Sequence, residues 1–99
     1  MIIDYNKLQS LTFTNKTLNI EPLREKIKSF GCFPVLTNGH NFKQIYKSLK
    51  IIKKNKPKVI IASTIKGKGV SFMENKILWH YRSPNNFETH KALMEINNA

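Results

Sequence analysis

The stretch Lys58–Ser63, with the sequence KVIIAS, limits what this chain can fold into more than any other segment. Val59, Ile60 and Ile61 follow one another with no polar residue between them. An unbroken apolar run is typical of a parallel strand covered on both faces, because a strand with one wet face alternates apolar and polar residues. The segment therefore predicts a buried strand of an α/β fold.

Other apolar patterns supply the elements that such a fold needs. Strands are also predicted at residues 1–5 and 33–37, and helices at 20–30, 42–54 and Asn86–Asn97. Residues 6–19 are polar and show no clear period, so this segment is predicted to be a loop. The order of elements predicts a partial doubly wound parallel sheet of about three strands with flanking helices.

Residues at the predicted helix ends fit their places. Pro22 suits a first turn, where its missing N–H is not needed, and Gly31 suits the position that ends the same helix. Asn41 is predicted to cap the second helix. Lys53 and Lys54 are predicted to lie at its carboxyl end, against the negative end of the helix dipole.

Length and composition narrow the possibilities further. A chain of 99 residues makes one domain at most, and 17 Lys and Arg against 6 Asp and Glu favour polyanionic partners without choosing among them. A single cysteine, Cys32, excludes an internal disulfide and a cysteine-based zinc site, and it is predicted to be a buried structural thiol. No signal peptide or membrane-length apolar stretch is visible, so we expect a cytoplasmic protein that does not enter a membrane.

Polar candidates follow each predicted strand, in residues 4–9, 38–40 and 66–80. The carboxyl ends of parallel strands lie along one edge of a sheet, so these three segments are expected to converge there. In the last of them, Gly67 and Gly69 alternate with Lys66 and Lys68. Glycines let backbone N–H groups approach an anion closely, and lysines add positive charge suited to phosphate. A flexible basic surface loop is the alternative interpretation.

Individual side chains in these segments suggest further roles. Asn6 offers an amide oxygen to a hard cation, although a lone Asn more often makes a turn. His80 follows Trp79, whose bulk is expected to bury at the sheet edge and fix the imidazole for phosphate contact or proton transfer. His40 is assigned only a turn, and His90 is expected to face solvent. Glu74 is predicted to cap the loop or pair with one of its lysines.

Taken together, the segments IIDYNKLQ, LNIEPLREKIKSFG, NGHN, KPKVIIASTIKGKGVSFMEN and LWHYRSP resemble the thiamine-diphosphate-binding half of a transketolase-like enzyme. The last of these segments ends in WHYRSP, which is similar to the separate amino-terminal subunits of split transketolases. The resemblance covers roughly the last third of such a subunit, so residues 1–99 are expected to be the carboxy-terminal part of that domain, a fragment. The family's upstream GDG motif is absent from this sequence.

The resemblance also implies roles for individual residues. It implies that Asn6 and the Leu8 carbonyl bind Mg²⁺, that Asn6 and Lys66 contact the cofactor, and that His80 is catalytic, touching both the thiamine diphosphate and the sugar phosphate substrate. It implies transfer of a two-carbon ketol unit, a pyrimidine-binding partner subunit, and a dimer or heterotetramer. The isolated chain is expected to be inactive.

Three alternatives stay open at this point. A deoxyxylulose-phosphate synthase-like enzyme shares the same scaffold. A small basic nucleic-acid-binding domain would explain the charge, but the sequence shows no recognised nucleic-acid-binding signature, so only weak, sequence-independent binding is expected. The third alternative is a non-catalytic remnant that binds no ligand.

Overall fold

The computed structural model describes residues 1–98 and contains a sheet of three parallel strands. Strand β1 spans Ile2–Tyr5, β2 spans Phe33–Asn38 and β3 spans Lys58–Ser63, in the order β1-β3-β2 across the sheet. Both pairings are parallel. The predicted α/β class and three strands are confirmed, and no strand boundary differs from its prediction by more than one residue.

Strand β3 lies in the middle of the sheet, as its unbroken apolar sequence requires. Ile60 pairs with Ile2 on one side and with Val35 on the other. Val59, Ile60 and Ile61 are only 2–3% exposed. Burial of a side chain of this type stabilises the fold by about 1.5–3 kcal/mol, so β3 supplies much of the core.

The helices beside the sheet are short. In the described part of the chain they are α1 (Thr14–Thr17), α2 (Leu23–Ser29), α3 (Phe42–Lys50) and α4 (Asn86–Asn97), with a 3-10 turn at Ile77–His80. Ile27 of α2 packs with Val59 and Ile61 on one face of the sheet. Cys32 is half-buried at the margin of this cluster, rather than buried as predicted. None of these helices has the length and apolar character that crossing a membrane would require.

Two predictions in the first crossover need correction. Residues 6–19 are not wholly loop, because they contain α1 and an antiparallel bridge between Leu8 and Phe13. Helix α2 begins at Leu23, later than predicted, and Pro22 lies at the capping position instead of the first turn. The Leu23 N–H donates to the Glu21 carboxylate at 3.1 Å, which satisfies a free donor at the helix start. Gly31 follows the helix with a φ of +78°, as predicted.

Helix α3 begins as predicted but ends early. The Asn41 side chain accepts the Gln44 N–H at 3.0 Å, which confirms the cap. The helix stops at Lys50, so Lys53 and Lys54 lie beyond it and the prediction for these two lysines is wrong. The Lys58 ammonium instead donates to three carbonyls at this helix end, those of Ser48, Leu49 and Ile51, at 3.1, 2.6 and 2.9 Å.

Helix α4 has the predicted bounds and a cap that was not predicted. The Asn85 side chain accepts the Glu88 N–H, and the Glu88 carboxylate accepts the Asn85 N–H, each at 2.9 Å. Glu95 of the same helix accepts hydrogen bonds from the N–H and the hydroxyl of Ser71, the latter at 2.9 Å. Helix α4 is thereby attached to the segment that follows β3.

Candidate functional site

The carboxyl ends of the three strands lie along one edge of the sheet, because all three strands are parallel. Asn6 follows β1, His40 follows β2, and the long segment from Thr64 to His80 follows β3. The three polar segments predicted to converge do so at this edge. Hydrogen bonds from Gly39 N–H to the Ser63 carbonyl, at 2.8 Å, and from Thr64 N–H to the Tyr5 carbonyl, at 3.4 Å, connect the strand ends to one another.

The side-chain amide of Asn6 is held at both of its atoms. Its Nδ2 donates to the Asp4 carboxylate at 3.2 Å, and its Oδ1 accepts the Leu8 N–H at 2.9 Å. These partners assign the nitrogen and the oxygen, because a carboxylate can only accept and an N–H can only donate. A carbonyl oxygen has two lone pairs, so Oδ1 keeps one for a cation. Asn6 therefore makes the turn of the simpler interpretation and still offers an oxygen ligand.

The residues 66–75, which we call the glycine loop, form a closed turn after β3. The Asn75 N–H donates to the Lys66 carbonyl at 2.9 Å and joins the two ends. Gly67 has a φ of +73°, and a Cβ at this position would come within 2.7 Å of the Met73 carbonyl oxygen. A glycine is required at Gly67 because the loop folds back onto its own backbone there.

Within the glycine loop, the two lysines differ in their surroundings. The Lys68 ammonium lies 3.5 Å from the Glu74 carboxylate, which also accepts the Gly69 N–H at 3.2 Å. Glu74 thus both caps the loop and pairs with a lysine, as predicted. The N–H of Gly69 is consequently used inside the loop rather than presented to an anion, so the predicted glycine cradle has no support at this position. Within residues 1–98, Lys66 forms no ion pair with a carboxylate.

Trp79 is anchored on the glycine loop and not at the sheet edge, which corrects the prediction. Its indole N–H donates to the Phe72 carbonyl at 3.1 Å, and its ring meets the Phe72 ring edge-on with centroids 5.4 Å apart. The Arg82 guanidinium lies over the Trp79 ring at 4.4 Å. Trp79 is half-buried, and these contacts fix the 3-10 turn that carries His80.

Tyr81, the residue after His80, contacts both the His80 ring and the segment that follows β1. The two rings meet edge-on with centroids 5.1 Å apart, and the Tyr81 hydroxyl donates to the Ser10 carbonyl. This hydrogen bond connects residues far apart in sequence, and no local pattern could have revealed it. His80 itself is exposed, so its imidazole is accessible to a ligand.

All four predicted site residues line one cavity of about 110 Å³. The lining of this cavity, which we call the candidate-site cavity, consists of Asn6, Leu8, Gln9, Lys66, Ile77 and His80. A single water molecule needs roughly 10–15 Å³ of such space, so the cavity has room for a small charged group. A neighbouring cavity of about 410 Å³ shares Asn6 and offers further room.

A search against protein-family models finds no match for the chain. The chain is 38% identical to one of the subunits of the apulose-4-phosphate transketolase of Actinobacillus succinogenes over 97 residues, covering 97% of this chain and 35% of that protein. It is 39% identical to the 6-deoxy-6-sulfo-D-fructose transketolase subunit SqwG of a Clostridium species over 79 residues, covering 78% of this chain and 29% of that protein. The chain is a homologue of transketolase subunits.

The similarity extends to larger transketolases at lower identity. The transketolase of Homo sapiens is 28% identical over 79 residues, which is 80% of this chain and 12% of that protein. The transketolase-like chain spans about a third of the length of the curated subunits that it matches. The resemblance seen in the sequence is therefore confirmed, and it concerns one part of those subunits.

The donor atoms at the candidate-site cavity suit a hard cation. An amide oxygen from Asn6 and the backbone carbonyl of Leu8 are neutral oxygen donors of the kind that Mg²⁺ accepts alongside water and phosphate oxygens. Within residues 1–98, His, Cys, Asp and Glu form no cluster of three or more that could hold a metal ion. A cation at this site would therefore need most of its ligands from water or from a bound phosphate group.

The remaining histidines and the shifted pKa values lie outside the candidate-site cavity. His90 is exposed, as predicted, and the Nε2 of His40 accepts the Ile65 N–H at 2.7 Å, a contact that sequence reasoning missed.

The hydrogen bond from Tyr5 to the Glu21 carboxylate raises the pKa of Tyr5 to about 12 and lowers that of Glu21. Asp4 was also missed as a partner of Asn6, although it lies only two residues earlier in the sequence.

Proposed function

We propose that this transketolase-like chain binds the diphosphate of thiamine diphosphate and its Mg²⁺ in the candidate-site cavity. One observation carries the proposal: Asn6, Leu8, Lys66 and His80, chosen from two of the three predicted segments, line the same small cavity. Asn6 Oδ1 and the Leu8 carbonyl hold the cation, and Lys66 pairs with the diphosphate. His80 contacts the diphosphate and a sugar phosphate substrate.

In the complete enzyme, the activity is transfer of a two-carbon ketol unit between sugar phosphates. Bound thiamine diphosphate supplies the carbanion chemistry, and the protein supplies binding and orientation. Residues 1–99 act as part of a thiamine-diphosphate-binding domain that works with a pyrimidine-binding subunit, in a dimer or heterotetramer in the cytoplasm. The relatives support this assignment over the synthase and nucleic-acid alternatives, because they are transketolases and transketolase subunits.

Neighbouring lysines provide a matched test of the proposed binding. Affinity for pyrophosphate in the presence of Mg²⁺ is measured by calorimetry for the wild type, Lys66→Ala and Lys68→Ala. Losing a charged contact to the ligand costs about 1–3 kcal/mol, which is roughly tenfold to a hundredfold in affinity. Lys68 is already paired with Glu74 in an exposed ion pair, so Lys68→Ala should change the affinity far less. A larger loss in Lys68→Ala than in Lys66→Ala would refute the assignment.

The role of His80 is tested by activity, after this segment replaces the matching part of a full-length relative. His80→Ala should lower turnover even at saturating cofactor, because the side chain is proposed to touch the substrate. Lys66→Ala should be partly rescued by excess cofactor. Full turnover of the His80→Ala graft would remove His80 from the catalytic residues, and ketol transfer by the isolated chain would contradict its proposed dependence on a partner.

A further inference from the structure

The Asn-Gly-His turn at residues 38–40 docks against the start of the glycine loop. The Gly39 N–H donates to the Ser63 carbonyl at 2.8 Å, and a Cβ on Gly39 would collide with the Thr64 side chain. The Asn38 side chain accepts the His40 N–H at 2.9 Å and so fixes the turn internally. The close approach therefore depends on glycine and brings the His40 ring to the segment that follows β3.

The His40 ring contacts the backbone directly before Lys66. Its Nε2 accepts the N–H of Ile65, the residue directly before Lys66, at 2.7 Å. An imidazole nitrogen that accepts a hydrogen bond carries no proton, so this hydrogen bond assigns the neutral form with its proton on Nδ1. On its other side, Lys66 is held by the hydrogen bond from Asn75 to its carbonyl. The backbone around Lys66 is thus fixed from both directions.

We propose that His40 is a positioning residue, which holds the Ile65 N–H and thereby sets the place of Lys66 at the candidate-site cavity. His40 does not line that cavity, so it acts through the backbone and not by contact with the ligand. The effect on ligand affinity rests on the function proposed for Lys66. The hydrogen bond between Ile65 and His40 does not depend on that proposed function. The hydrogen bond and the effect on affinity are measured separately.

The first measurement is hydrogen exchange at the Ile65 amide, followed by NMR. His40→Ala removes the acceptor, and exchange at Ile65 should become about threefold to tenfold faster. His40→Gln offers an amide oxygen near the position of Nε2 and should restore most of the protection. His90→Ala, an exposed histidine on α4, should leave the rate unchanged. In the wild type, the ¹⁵N shift of His40 should show Nε2 without a proton at neutral pH. Unchanged exchange in His40→Ala, or a protonated Nε2, would overturn the proposal.

The second measurement is a double-mutant cycle on pyrophosphate affinity with Mg²⁺. If His40 acts by placing Lys66, His40→Ala should weaken binding about threefold to tenfold in the wild type and hardly at all in the Lys66→Ala background. Equal loss in both backgrounds would show that His40 does not act through Lys66 and would refute its positioning role. Unchanged binding in Lys66→Ala alone would instead refute the proposed function, while exchange at Ile65 still decides whether His40 holds the loop.

Discussion

Replacing Gly67 with alanine tests whether the glycine loop holds its shape by folding onto Met73. A φ of +73° costs an L residue about 1–2 kcal/mol, and the added methyl would come within 2.7 Å of the Met73 carbonyl oxygen and 2.8 Å of its carbon. Backbone atoms cannot move aside as a flexible side chain can, so overpacking adds about 1–3 kcal/mol. Together these are a large fraction of the roughly 5–15 kcal/mol that stabilises a domain of this size.

Gly69 provides the matched control for the same substitution. It also has a positive φ, of +97°, but a Cβ there would meet nothing within 4 Å. Gly69→Ala should therefore lower the free energy of unfolding only by the cost of a positive φ. Gly67→Ala should lower it by about 1–3 kcal/mol more, because of the clash with Met73. Any larger difference between the two would need a source beyond this clash.

The comparison is made by urea unfolding. Far-UV circular dichroism follows the whole chain, and fluorescence of Trp79, the single tryptophan, follows the loop that holds its indole N–H. Gly67→Ala should also lower pyrophosphate affinity, because it displaces the backbone beside Lys66. Equal destabilisation by the two substitutions, or a smaller effect of Gly67→Ala, would refute the proposed clash with Met73.

Two further predictions concern the end of α3 and the start of the sheet. Lys58→Met removes three hydrogen bonds to carbonyls at the end of α3 and should lower the free energy of unfolding by about 1–3 kcal/mol, whereas Lys54→Met, beyond the helix, should change it by less than about 0.5 kcal/mol. Equal urea midpoints for these two variants would contradict this assignment. The pKa of Tyr5 is raised to about 12 in the folded chain by its hydrogen bond to Glu21, so its stabilising effect is complete below pH 10 or so and is lost as the pH rises towards 12. Tyr5→Phe should remove that alkaline loss. The measurement is urea unfolding of both proteins across this pH range, and an equal fall of the free energy of unfolding in both would contradict the reasoning.

Elements that depend on neighbours in sequence could be predicted. The run from Val59 to Ile61 identified the central strand, because burial on both faces leaves no place for a polar residue. Asn41 and Gly31 marked helix ends through the conformations and hydrogen bonds that these residues favour locally. Convergence of the site residues followed from parallel strands alone, since their carboxyl ends share an edge.

Contacts between distant residues could not be predicted in this way. The spacing of Ile52 continues the helical pattern of α3, yet the Lys58 ammonium accounts for three carbonyls at the end of this helix, two of which the next helical turn would have used. The Tyr81 hydroxyl reaches the Ser10 carbonyl, and Glu95 reaches Ser71, without any signal in the local sequence. Such contacts depend on the completed sheet, and they decide where His80 and α4 come to lie.

The place of β3 between β1 and β2 limits when the two pairings of the described sheet can form as the chain is synthesised. In the described chain, β1 and β2 each pair with β3 alone, although both are made before it. At roughly 5–20 residues per second, seconds of synthesis separate each of these strands from the partner that it has in the described residues. The hydrogen bonds of both pairings can form only once Lys58–Ser63 has emerged. Within residues 1–98, the three-stranded sheet is therefore assembled around β3, and a chain that lacks Lys58–Ser63 loses both of these pairings.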